Sequence, residues 1–78
     1  MQLSDLLVGV GYRSKYGLVT WTDFSKHEFN DEPAGVVFEY MGITPIYSFL
    51  RRFRNLETGQ EVDISTDAIS QCLAKGET

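Results

Sequence analysis

The amino-acid sequence predicts a mainly β domain: a small, strongly bent antiparallel sheet or SH3-like barrel with a short C-terminal helix. Three observations carry that expectation. Apolar and polar residues alternate through the middle of the chain, with Val36, Phe38 and Tyr40 on one face, which is the period of a half-buried strand. Turn residues punctuate the runs, at Glu32-Pro33-Ala34-Gly35, Gly42-Ile43-Thr44-Pro45 and Leu56-Glu57-Thr58-Gly59. The clearest helical stripe, Ile69, Cys72 and Leu73, comes only near the end. At 78 residues the chain is read as a single domain, 1–78. An OB-like barrel needs more chain, and an α+β sandwich with one helix on one sheet is the competing architecture.

Each element follows from its own residues. Ser4 is placed to cap a turn over Asp5 to Leu7, which Gly9 and Gly11 then break. Tyr16 to Phe24 reads as a strand, with Val19 and Trp21 on one face and Thr20 and Thr22 on the other. Lys26 to Ala34 is polar and reads as a loop. Val36 to Met41 is the next strand, Ile46 to Asn55 the longest, and Gln60 to Ser65 the last. For the final hairpin a four-residue loop sets Phe53 opposite Val62, Arg54 opposite Glu61 and Arg52 opposite Asp63. A one-residue slip puts Phe53 against Asp63 and Arg52 against Ile64, which spoils both faces. Thr66 then caps a helix starting at Asp67 that Gly76 ends.

Composition narrows function. The net charge is −4, so bulk charge does not favour nucleic acid. A single cysteine, Cys72, excludes an internal disulfide. The N-terminus carries Asp5 without a basic n-region and does not read as a signal peptide. No apolar run approaches a membrane span of about 20 residues. A cytoplasmic protein is expected, in the host cytoplasm if the chain is viral, with no membrane partner.

Catalytic and metal-binding patterns are weak. The chain has one histidine, His27, and Cys72 falls on an apolar helical stripe, where a packed thiol is the simpler reading than a Cys-His nucleophile. His27 with Glu28, Asp31 or Glu32 falls short of the usual zinc ligand set. Gly9-Val10-Gly11 is not followed by the rest of a dinucleotide fingerprint, and there is no phosphate-binding lysine loop. A non-enzyme without cofactor or metal is expected.

The remaining signal is aromatic. One Trp, four Tyr and five Phe exceed what a small core uses, and several lie at predicted strand ends or in loops. Trp, Tyr and Arg are enriched at binding hot spots. The reading is a stand-alone protein-binding module, a regulator or inhibitor of a larger host or cellular machine. Its candidate contacts are Trp21, Phe24, Phe29, Asp31, Glu32, Tyr47 and Arg51. Size and acidity associate it with phage and mobile-element products. The alternative is a nucleic-acid-binding small barrel using Arg13, Lys15, Arg51, Arg52 and Arg54, with Tyr47, Phe49 and Phe53 interleaved. Further alternatives are a homo-oligomer pairing through an exposed strand edge and an acidic DNA mimic built on Asp23 to Glu32.

Overall fold

The computed structural model describes residues 1–75. A single 3-10 turn, Leu3–Asp5, leads into β1 (Gly11–Ser14), β2 (Leu18–Asp23), β3 (Glu28–Glu32), β4 (Val37–Ile43), β5 (Leu50–Asn55) and β6 (Glu61–Ser65). The helix α1 (Thr66–Cys72) and the short strand β7 (Leu73–Lys75) follow. All strands join one antiparallel sheet in the order β3-β2-β6-β5-β4-β1-β7. Among the described residues the sheet is not closed into a barrel, and β3 and β7 are its edges.

The sheet is nevertheless strongly bent, and chain length shows why. β1 and β2 are separated in the sheet by β6, β5 and β4. In a flat sheet those four spacings would hold them about 19 Å apart. The Lys15–Gly17 link joins Ser14 to Leu18, and four extended steps reach at most about 14 Å. Only a curled sheet allows the connection. The β3–β4 segment folds onto β1 at the same end: Gly35 N donates to Ser14 O (2.8 Å), and Ser14 Oγ donates to Pro33 O (3.1 Å).

The concave side holds the core. Tyr12, Leu18, Val36, Phe38, Tyr40, Phe53, Val62, Ile64, Ile69 and Leu73 form one buried cluster, with Leu3, Leu6 and Cys72 packed against it. Burying a large side chain contributes about 1.5–3 kcal/mol each, which offsets the small size of the domain. The Tyr12 hydroxyl anchors the N-terminal turn. It accepts from Leu7 N (2.8 Å) and donates to Asp5 O (3.1 Å).

Several expectations hold. Phe53 faces Val62, Arg54 faces Glu61 and Arg52 faces Asp63, in the register that kept apolar and charged faces apart. Asn55 N donates to Gln60 O (2.8 Å), and Gly59 takes the left-handed conformation (φ 75°). Others are corrected. Ser4 lies inside the first turn, where the Asp5 carboxylate takes the N–H of Gln2 (3.0 Å). β2 keeps the expected alternation of Val19 and Trp21 against Thr20, and the face it buries is that of Leu18 and Thr20. The polar run after Lys26 is not all loop, because Glu28–Glu32 pairs along β2 as an edge strand. The 46–49 stretch is loop, so β5 starts at Leu50, and β4 extends through a bulge at Gly42 (φ 125°). The helix begins one residue earlier than expected, with Ser65 Oγ accepting from Ala68 N (3.2 Å). It stops at Cys72, and the chain runs on as β7 beside β1. The expected stop at Gly76 lies outside the described residues.

Candidate functional site

The convex face of the sheet can be followed residue by residue. Side chains of directly paired strand residues point to the same face. Phe29 pairs with Trp21, Trp21 with Asp63, and Asp63 with Arg52. The convex face therefore runs from an aromatic end at β3 and β2 to a charged centre at β6 and β5.

Two loops enlarge the aromatic end. The β2–β3 turn is tight, with His27 N donating to Phe24 O (3.1 Å) and His27 left-handed (φ 56°). Asp23 organises it, accepting from Ser25 Oγ (2.7 Å) and Lys26 N (3.2 Å). The Ser25 hydrogen bond is the main reason the Asp23 carboxyl titrates below its ordinary range. This turn sets Phe24 edge-on to Trp21, 4.9 Å between ring centres. The loop between β4 and β5 brings Tyr47 and Phe49 to the same ring, each 5.1 Å from Phe24. Phe29 lies 5.1 Å from Trp21, and His27 stands beside both Trp21 and Phe24. These distances are in the favourable range for aromatic pairs. Phe29 and Phe49 remain 51% and 44% exposed.

A recess of about 360 Å³ opens beside the cluster. Phe24, Tyr47, Pro45 and Ile46 are among its apolar lining, and Arg52 and Asp63 among its polar lining. Asp63 Oδ1 accepts from Arg52 Nε (2.7 Å) and from buried Thr44 Oγ1 (2.8 Å). The hydrogen bond that Arg52 donates to Asp63 is the main cause that raises the Arg52 pKa, and this guanidinium is a fixed charge. Ile46 is 94% exposed and sits at φ 78°, a conformation that costs a β-branched side chain dearly. Strain of this kind persists where neighbouring structure over-determines it, and it collects at binding sites.

Four of the expected contact residues, Trp21, Phe24, Phe29 and Tyr47, thus meet in one cluster. Phe49 belongs with them, although the sequence placed it only with Tyr47 and Phe53 in the nucleic-acid alternative. A continuous strand sets all three on one face, whereas the 46–49 loop parts Tyr47 and Phe49 from buried Phe53. Asp31 lies on the Phe29 face of β3, opposite Val19 and away from the turn. Glu32 ends the strand and accepts from Asn55 Nδ2 (3.1 Å). Arg51 shares the Phe53 face, but Nη1 folds back onto the carbonyls of Ser48 (2.7 Å) and Leu50 (2.9 Å). Not every aromatic belongs to the patch: Tyr12 is core.

The basic residues do not gather. Arg52 lies between Asp63 and Glu61, and Arg54 pairs with Glu39 across β4 (3.8 Å). Arg13 lies on β1, which β4 separates from β5, and Lys15 follows just after β1. Cys72 packs against the core while His27 joins the outer rings, so a Cys-His pair is not assembled. Among the described residues no three His, Cys, Asp or Glu side chains are placed to hold a metal ion. No helix among them is long and apolar enough to cross a membrane. Comparison with protein-family models, with curated proteins and with solved structures finds no match for this chain.

Proposed function

We propose that this chain is a protein-binding module whose contact surface is the patch of Trp21, Phe24, Phe29, Tyr47 and Phe49. The observation that carries the reading is the gathering of five aromatic rings on the outside of the domain, two of them half-exposed. Core formation does not require them, since the buried cluster is complete on the other side of the sheet. Rigid aromatics contribute large contact area at small entropic cost, and clusters of them anchor protein interfaces. The adjoining recess suits an inserted partner side chain, with the fixed Arg52–Asp63 pair offering both charges at its wall. Binding is then the action itself, as a regulator or inhibitor of a larger machine.

Affinity capture of the tagged protein from lysate, with and without nuclease, tests this reading. A nuclease-resistant protein should be retained by the natural chain and lost by Phe29→Ala and Phe49→Ala, both still folded. Capture that disappears with nuclease would move the function to nucleic acid. Capture unchanged in both variants would remove the patch as the contact surface.

A further inference from the structure

Resting on the protein-binding reading above, we infer that β3 is the docking edge: an extended basic segment of the partner adds to the sheet there as a further strand. β3 pairs with β2 on one side and has no neighbour on the other among the described residues. Alternate backbone N–H and C=O groups of such an edge face outward as a ready template. Glu28, Phe29, Asn30 and Asp31 are all exposed, so the edge is open on both faces. It is continuous with the aromatic patch through the Phe29–Trp21 pair.

Charge selects the occupant. β3 reads Glu28-Phe29-Asn30-Asp31-Glu32, with three acids and no base. A second copy is a poor guest. Antiparallel self-pairing about Asn30 sets Glu28 against Glu32 twice and Phe29 against Asp31, and like charges directly opposite are destabilising. A basic strand meets none of this repulsion. Its pattern follows from the register: bases opposite Glu28, Asp31 and Glu32, and one apolar side chain opposite Phe29. Read antiparallel, that is Lys-Lys-Thr-Val-Lys.

The test is an NMR titration of the whole chain with that capped peptide, with Glu-Glu-Thr-Val-Glu, and with two basic peptides N-methylated at alternate positions. The basic peptide should shift the amides of β3 and bind about tenfold more tightly than the acidic one. One N-methylated peptide should bind about tenfold more weakly and the other should not, because only alternate N–H groups face the edge. Asp31→Lys, checked for folding by circular dichroism, should narrow the preference for the basic peptide, because it takes the edge from three acids and no base to two acids and one base. Equal binding of basic and acidic peptides, or indifference to both N-methylations, overturns strand addition. If capture from lysate still depends on Phe29 in that case, the protein-binding reading stands and the edge is not its means. If capture too is independent of Phe29, the patch reading falls separately.

Discussion

Thr20 is fully buried in β2, and among the described residues its hydroxyl has no hydrogen-bond partner. An orphaned buried hydroxyl costs about 1–3 kcal/mol in desolvation. Thr20→Val keeps the shape and the β-branch while removing that cost, so it should raise stability by about 1 kcal/mol in a denaturant melt. A fall in stability would mean that the hydroxyl is in fact paired. The phenylalanines separate in the same way. Phe53 is fully buried, and Phe53→Ala should cost about 3–5 kcal/mol. Phe29 is half-exposed, and Phe29→Ala should cost about 1 kcal/mol or less while weakening partner capture. Similar losses in both melts would make Phe29 part of the core. At this scale the sequence was informative by residue type. Trp21, Phe24, Phe29 and Tyr47 stood out as aromatics in excess of a small core. Tyr12 looked the same in sequence, yet it is core, because its phenol finds two backbone partners that no spacing rule reveals.

At the scale of elements, legibility followed how much each face was constrained. The β5–β6 register could be derived because both faces carry information: Phe53 meets Val62 on one, Arg52 meets Asp63 on the other. β3 could not, because an edge strand exposed on both faces has no need of alternation. β1 was hidden by brevity and by flanking glycines, and β7 by Leu73. That residue continues the helical stripe in sequence but is buried from a strand. The β2–β3 turn gives a pH prediction. The Asp23 carboxylate is held below its ordinary value of 3.8, mainly by Ser25. A depressed carboxyl contributes stability above its unfolded value, and that contribution is lost as pH falls through the folded value. The turn should therefore be unchanged from neutrality down to the ordinary aspartate range and loosen below it. Faster solvent exchange of the Lys26 amide at that point would report the change, whereas exchange that begins near neutrality would assign the turn to another group.

At the scale of the whole molecule, strand order was the least legible property. Hairpins such as β4–β5 and β5–β6 are local, but nothing in the residues of β1 says that it lies between β4 and β7. That placement arises from closing a core around Tyr12, Phe38 and Leu73, far apart in sequence. Non-local pairing has a kinetic cost, so refolding should take milliseconds to seconds, as for other all-β domains. Stopped-flow circular dichroism would read this, and refolding in microseconds would contradict the long-range sheet. The curvature also sets what the outside of the molecule can report. The chain has one tryptophan, and it stands where the aromatic patch meets the open edge. Its indole is an intrinsic fluorophore at the boundary of both contact regions. A partner that excludes water from this boundary will shift its emission to shorter wavelength, while unfolding will shift it to longer. The protein thus carries its own two-colour signal for occupancy and for loss of structure, with no label attached.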